Sequence, residues 1–156
     1  MRNRKAMNSQ STAVSIAGTP KISEAWDAFE VFYQIWNKRR IHRVQEYKAL
    51  LLDRGNHVIS AVSLGSKLND MKDLGSLIFF AKKEKAQKVI IAQNRPEQPL
   101  VPGSEEIKLA KQFKIYGDKL GMPIVDQILI NSSGCYSFAE NGLHPSVRSN
   151  RIYNNV

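Results

Sequence analysis

Short apolar runs alternate with longer segments of helical periodicity along this chain, and that alternation restricts the fold more than any other feature. Runs rich in leucine and β-branched residues predict strands at residues 47–53, 57–64, 88–92, 124–131 and 135–139. One segment with apolar residues at helical spacing precedes the first two runs, and two further segments of this kind lie on either side of the third run. The resulting order is helix, hairpin, helix, strand, helix, hairpin. Strands separated by helices favour a single α/β domain, with one mixed central sheet and helices on both faces.

Capping residues set the expected helix boundaries. Ser23 is a favourable N-cap for the first helix, and Asn69 for a second helix that extends to about Ala86. The third helix is predicted from about Ser104 to Leu120, where a Gly-Met-Pro sequence stops it.

An aromatic stripe marks the first helix. Its members recur at helical spacing: Trp26, Phe29, Phe32, Tyr33 and Trp36. Such a stripe is either a binding face or a core-facing surface, and core packing is the commoner cause.

The length and composition indicate one globular domain with polar ends. A chain of 156 residues is long enough for one sizeable core. We expect a flexible N-terminal arm at residues 1–19, which forms at most a short edge strand, a folded domain at 20–143 and a polar tail at 144–156. The apolar runs are shorter than the roughly 20 residues of a membrane helix, and the N-terminus has no sustained apolar region. With a single cysteine, Cys135, the expectation is a cytoplasmic protein without membrane association.

The formal net charge of +9 has two interpretations. Lysine and arginine clusters neutralise phosphates, so the charge suggests association with nucleic acid. For any one cluster, a solvated outer helix face is the commoner explanation. Nucleic-acid binding through a basic surface therefore stays open.

Six ordered segments carry a resemblance to a known family. They are PKISEAWDAFEVFYQIWNKRRI, EYKALLLDRGNHVI, VSLGS, KVIIAQNRP, VDQILI and GCYSFAENGL. In order and spacing, from about Pro20 to Leu143, the chain resembles the bacterial RadC-like proteins. These belong to the JAB/MPN family, whose active members are JAMM zinc metalloproteases. The resemblance implies the JAB/MPN layering of helices around a sheet and a traditional link to DNA repair.

The resemblance also implies where a metal site would stand. Active members hold zinc with the histidines of a His-x-His-Pro segment and an aspartate on the next helix, and three protein ligands leave a position for a reactive water. This chain has Gln93 and Arg95 at the histidine positions, while Asn94 and Pro96 match the segment. The aspartate position carries Glu106.

The remaining family positions are also altered. The serine that helps stabilise the oxyanion falls on Gly103, with Ser104 one residue later. The upstream glutamate that acts on the water falls on Ala61, to within a residue or two. Gln127 stands where a histidine often follows in the family. The resemblance marks its neighbour Asp126 as structural, bonding nearby backbone next to the site.

The substitutions predict a chain without zinc or catalytic residues. Glutamine is a weak neutral ligand, and a guanidinium offers no lone pair and repels a cation. We expect an ion pair between Arg95 and Glu106 that replaces zinc as the link between strand and helix. The alternative is that Gln93, Arg95 and Glu106 form an ordinary polar loop.

Three functions follow as hypotheses. The first is a catalytically inactive RadC-like domain that scaffolds protein partners or associates with itself. The second is a basic, nucleic-acid-associated accessory protein of DNA repair. The third is an active zinc metallohydrolase or isopeptidase with non-standard ligands.

Overall fold

A computed structural model describes residues 13–96 and 98–144 of the chain. These residues form six strands: β1 (Val14–Ser15), β2 (Tyr47–Leu52), β3 (Val58–Gly65), β4 (Lys88–Asn94), β5 (Ile124–Ile130) and β6 (Cys135–Ser137). They also form three helices: α1 (Ala25–Ile35), α2 (Met71–Lys83) and α3 (Ser104–Lys119).

The strands form one mixed sheet in the order β1-β3-β2-β4-β5-β6. β4 and β5 pair in parallel, joined by the crossover through α3, and the other neighbouring strands pair antiparallel. The predicted α/β class with a mixed central sheet is therefore confirmed. A parallel pair needs a long crossover, and this crossover contains the loop of residues 95–103.

Two apolar cores lie on opposite faces of the sheet, which confirms the prediction of helices on both faces. On one face α1 packs against alternate residues of β2, β4 and β5, including Leu50, Ile90 and Ile128. On the other face α2 and α3 pack against the intervening residues, including Leu51 and Ile91. Period-two alternation along each strand sends successive side chains to different faces.

The aromatic stripe of α1 mainly faces the first core. Phe32 and Trp36 are almost completely buried, and Phe29 packs beside them. Trp26 is an exception with 47% of its surface exposed, and its ring lies over the backbone of Gly134. Core packing thus explains most of the stripe.

The two predicted N-caps were each wrong by one residue. Glu24 caps α1 in place of Ser23, because the backbone N–H groups of both residues donate to the carboxylate of Asp27. Asp70 caps α2 in place of Asn69, and its Oδ1 accepts the N–H of Asp73 at 2.9 Å.

Other element ends also differ from the prediction. α2 ends at Lys83 before the predicted Ala86, because Lys85 adopts a left-handed φ of 65° and the Ala86 N–H turns back to the Ala81 carbonyl at 3.0 Å. β4 continues two residues beyond the predicted 88–92, since its last residues pair with Leu129 and Ile130 of β5. β6 ends at Ser137, two residues before the predicted end.

Both ends of the described segment pack against the folded domain. β1 pairs with Ser60 and Ala61 of β3 as a short edge strand. His144, predicted as the first residue of the polar tail, is 1% exposed. The remainder of the predicted arm and tail, residues 1–12 and 145–156, lies outside the described residues. Among the helices of the described segment, none has the length and apolar character needed to span a bilayer.

Candidate functional site

The predicted ion pair forms at the end of β4. Arg95 Nη2 lies 2.6 Å from Glu106 Oε1, and the two side chains are only 13% and 29% exposed. This distance is that of a charge-assisted hydrogen bond. The predicted link between the strand end and the first turn of α3 is confirmed.

The Arg95 guanidinium also holds the loop that leads to α3. Its Nη2 donates to the Val101 carbonyl at 2.8 Å, and its Nη1 donates to Gln98 Oε1 at 3.3 Å. The Arg95 backbone N–H donates to the Ile130 carbonyl at 2.8 Å, which continues the β4–β5 ladder by one bond. One side chain thus connects the strand end, the loop and the helix.

Glu106 accepts hydrogen bonds from three directions. Besides Arg95, its Oε1 accepts the Gly103 backbone N–H at 2.8 Å, and its Oε2 accepts Gln93 Nε2 at 3.5 Å. A carboxylate at the third position of a helix that bonds the N-cap N–H is favourable with the helix dipole. Gln93, Arg95 and Glu106 are therefore brought together as predicted.

Tyr47 belongs to this site and was missed by the sequence reasoning. It pairs directly with Gln93 across β2 and β4, so both side chains lie on the α3 face. Burial raises the pKa of the Tyr47 hydroxyl, the negative charge of Glu106 raises it further, and Arg95 acts in the opposite direction. The β2–β4 register would have revealed Tyr47, but the sequence does not give that register.

A small cavity of about 70 Å³ lies behind the ion pair. Tyr47, Gln93, Glu106 and Gln127 contribute its polar wall, and the other walls are mainly apolar side chains of the sheet and α3. The Gln127 Nε2 donates to the Ala110 carbonyl at 2.9 Å, which ties β5 to α3. The cavity has room for only a few water molecules.

The donor groups do not fit a zinc ion. The Arg95 guanidinium stands against the only carboxylate of the trio, and it has no lone pair to offer a metal. Gln93 supplies an amide, which zinc rarely selects over imidazole, thiolate or carboxylate. Among residues 13–96 and 98–144, no group of three or more His, Cys, Asp or Glu side chains is arranged to hold a metal ion.

Asn94 fixes the neighbouring loop and is fully buried. Its Nδ2 donates to the carbonyls of Ile41 and Val44 at 3.0 and 2.8 Å, and its Oδ1 accepts the Glu46 N–H at 2.6 Å. Strand alternation directs Asn94 to the α1 face, away from Gln93. Asn94 therefore has a structural role, and Pro96 follows in the turn after β4.

The positions assigned to the serine lie at the start of α3. Gly103 is the N-cap, and Ser104 is the first helical residue. Both are exposed. Gly103 donates its backbone N–H to Glu106, whereas the Ser104 hydroxyl makes no hydrogen bond within the described part of the chain.

Ala61, the position assigned to the upstream glutamate, faces the α1 side of the sheet. Ala61 packs in the α1 core, whereas its neighbour Val62 packs in the core of α2 and α3. A side chain on the sheet face of α2 and α3 would need to stand one residue earlier or later, at Ser60 or Val62, because neighbouring strand residues face opposite ways. Neither of those residues is acidic.

Asp126 has the predicted structural role but a different location. Its Oδ1 accepts the N–H groups of Gln127 and Ala139 at 2.7 and 3.0 Å, and its Oδ2 accepts the Ser137 hydroxyl at 2.5 Å. It lines a separate cavity of about 190 Å³ beside the start of α1. Burial raises the pKa of Asp126 to about 7 in spite of these donors. It was predicted near the site, whereas the structure places it on the α1 side of the sheet.

Comparison with known proteins supports the resemblance. The family model for the RadC-like JAB domain matches residues 22–143. A UPF0758 protein of Geotalea uraniireducens is 28% identical over 116 residues, which are 73% of this chain and 51% of that protein. A UPF0758 protein of Streptococcus equi subsp. zooepidemicus is 26% identical over 142 residues, which are 87% of this chain and 61% of that protein.

A third relative gives the same relationship. A UPF0758 protein of Clostridioides difficile is 28% identical over 123 residues, which are 78% of this chain and 51% of that protein. The chain thus spans about half to three-fifths of the length of these relatives. Since the family model covers most of the chain, including the strand end, the loop and α3, this protein belongs to the RadC-like JAB domain family.

Proposed function

We propose that this chain is a catalytically inactive RadC-like JAB domain that serves as a protein-interaction or scaffolding module. The observation that carries the proposal is the Arg95–Glu106 pair at 2.6 Å. Where the family resemblance implies a zinc ion bridging strand and helix, a guanidinium bridges the same two elements. A fixed organic cation supplies charge and hydrogen bonds, but it cannot activate a water as zinc does.

Several substitutions at the site jointly support the loss of hydrolytic activity. The resemblance assigns the two imidazoles to Gln93 and Arg95, and neither residue is a usual zinc ligand. No residue of β3 is acidic, so that strand offers no carboxylate to accept a proton from water. A hydrolase with other ligands would need a different cluster of metal-binding side chains.

The structure of the loop supports an interaction role. Arg95 fixes the loop through Gln98, Val101 and Glu106, so the loop has a defined shape without a metal. Val101 nevertheless exposes 66% of its surface beside the site. We place the contact with a protein partner, or with a second copy of the chain, on this loop because the exposed Val101 side chain stands on a backbone of fixed shape.

Metal content and hydrolysis test the first half of the proposal. Protein purified without chelators is expected to contain far less than one zinc per chain, and added zinc is expected to produce no peptidase or isopeptidase activity. Stoichiometric zinc together with hydrolysis would establish the alternative of an active metallohydrolase.

Self-association and partner capture test the second half. Light scattering and cross-linking should detect a complex that the Val101→Asp variant weakens. Val14→Asp is a matched control, since Val14 is 58% exposed on β1. If the protein is monomeric and Val101→Asp leaves partner capture unchanged, the loop is not the interaction surface.

A further inference from the structure

A strongly basic turn lies at the same end of the sheet as the site. Between Asn37 and Lys48 the chain has five lysine or arginine residues and a single carboxylate, Glu46. We propose that residues 37–43, here called the basic turn, bind the sugar–phosphate backbone of nucleic acid without reading its sequence. This inference does not depend on whether the site is catalytic.

The basic turn has a fixed backbone. The Asn37 side chain accepts the N–H groups of Arg39 and Arg40 at 2.9 and 3.1 Å, and the Asn37 carbonyl accepts the Ile41 N–H at 3.0 Å. The Arg40 carbonyl accepts the N–H groups of the third and fourth residues after it, both at 2.9 Å. A pre-formed turn holds its cations in place before a ligand arrives, which reduces the entropic cost of binding.

Buried contacts attach the turn to the rest of the fold. Ile41 is 1% exposed in the α1 core. Asn94, the residue before Arg95, donates to the carbonyls of Ile41 and Val44. The basic turn is therefore part of the folded domain and not a separate tail.

Two of its arginines are available to a ligand. Arg39 and Arg43 are exposed, and neither takes part in a salt bridge with the described residues. By contrast, Arg40 pairs with Glu46 at 2.8 Å. The Lys38 ammonium bonds the Tyr33 and Trp36 carbonyls and lies 4.2 Å from the Tyr33 ring centre. The free guanidinium groups match the bidentate geometry of phosphate.

The surface chemistry favours nucleic acid over a protein partner. Protein interfaces have an apolar centre, but the large apolar residues of the turn region, Trp36 and Ile41, are buried. The large apolar side chains that the described residues expose lie elsewhere: Val14, Trp26, Phe79, Val101, Ile115 and Leu120. A polar, cationic surface without an exposed aromatic ring is typical of backbone contacts, which do not distinguish sequences.

Fluorescence anisotropy with a labelled mixed-sequence DNA duplex tests the proposal across a salt series. Wild-type protein is expected to bind, with an affinity that falls as salt rises. Arg39→Gln/Arg43→Gln should reduce the slope of log K against log salt by about 1.8, because each phosphate contact contributes about 0.9. The same variant should bind about tenfold or more weakly near ~0.1 M salt.

Lys82→Gln/Lys83→Gln is the matched control, because it removes the same charge from the exposed end of α2. These lysines precede β4, whose seven residues separate them from Asn94 by roughly 20 Å. The proposal expects the control to bind almost as wild type does. Equal losses in both variants would show that only net charge matters, and absence of wild-type binding would also overturn the proposal. Equally tight, arginine-dependent binding of poly-glutamate would assign the turn to an acidic protein instead.

Discussion

The Arg95 guanidinium and the Glu106 carboxylate lie 2.6 Å apart, between the end of a central strand and the first turn of α3. Glu106 also accepts from Gly103 and Gln93, while Arg95 donates to Gln98 and Val101. The pair is thus the centre of a network that joins strand, loop and helix. In our account it provides the cross-link that a metal ion provides in active relatives.

Removing the cation of this pair should destabilise the fold. Arg95→Ala leaves Glu106 partly buried without its charged partner and frees the loop, so the free energy of unfolding is expected to fall by about 1–3 kcal/mol. Urea titrations of the single variants Arg95→Ala and Glu106→Ala and of the double variant measure the coupling. A matched control is Arg40→Ala, whose guanidinium is more exposed, so its pair with Glu46 should contribute much less to stability. Additive effects of the two site variants would contradict the proposed cross-link.

Restoring the histidines should create a zinc site. In Gln93→His/Arg95→His, two imidazoles would stand beside the Glu106 carboxylate, which gives three ligands of the kinds zinc prefers. We expect this variant to bind close to one zinc per chain and to gain thermal stability on zinc addition. Gln93→His alone is the control and should bind zinc weakly, since Arg95 remains against Glu106. Failure of the double variant to bind zinc would argue that these positions do not correspond to the family ligands.

Asp126 should make stability depend on pH near neutrality. Burial raises the pKa of Asp126 from its ordinary 3.8 to about 7 in the folded protein, so the folded state binds the proton more tightly. Its contribution to stability is therefore present below about pH 4, declines as the pH rises to 7 and is lost above that. In Asp126→Asn the unfolding free energy should fall less between pH 5 and 8 than in wild type. Identical pH profiles for both proteins would contradict the raised pKa.

The wild-type pH profile must be compared with that of Asp126→Asn because His144 changes the unfolding free energy with pH in the opposite direction. Burial lowers the pKa of His144 to about 3, and the charge of Lys114 acts in the same direction. Protonation of the unfolded chain therefore reduces stability as the pH falls below the ordinary value of 6.5. The difference between wild type and Asp126→Asn removes this shared contribution.

Asn94 should be important for the loop that carries the basic turn. Asn94→Ala removes three hydrogen bonds and leaves the Ile41 and Val44 carbonyls and the Glu46 N–H without that partner. We expect a loss of about 2–3 kcal/mol in unfolding free energy and faster hydrogen exchange in residues 41–46. Asn131→Ala is the control, because its side chain accepts two bonds in an exposed turn. Equal effects of the two variants would contradict a special role for Asn94.

The class of the fold was predictable from sequence because the spacing of apolar residues and the capping residues of helices are local signals. The runs in β2 and β3 and the stripes of α2 and α3 lie close to where they were expected. The errors at Ser23 and Asn69 have a local cause, since a neighbouring residue provides the favourable capping geometry. The two additional residues of β4 depend on pairing with Leu129 and Ile130, which are distant in sequence.

The candidate site was predictable only in part. The family resemblance, together with the need of a partly buried carboxylate for a cationic partner, was enough to predict the pairing of Arg95 with Glu106. Tyr47 was missed because its pairing with Gln93, 46 positions later in the sequence, depends on the register between two strands. The sequence did not show that Ala61 and Asp126 lie on the α1 side of the sheet, because a shift of one residue in a strand reverses its side chains. Strand register is a tertiary property that a single sequence does not fix.

Elemental analysis of the purified wild-type protein shows whether Arg95 has taken the place of a zinc ion. Inductively coupled plasma mass spectrometry should be performed after growth in zinc-supplemented medium and purification without chelators, with Gln93→His/Arg95→His prepared in parallel. We expect far less than one zinc per chain in the wild-type protein and close to one in the double variant. Stoichiometric zinc in the wild type, lost on Glu106→Ala, would show that the site binds metal in spite of Arg95 and would contradict the account.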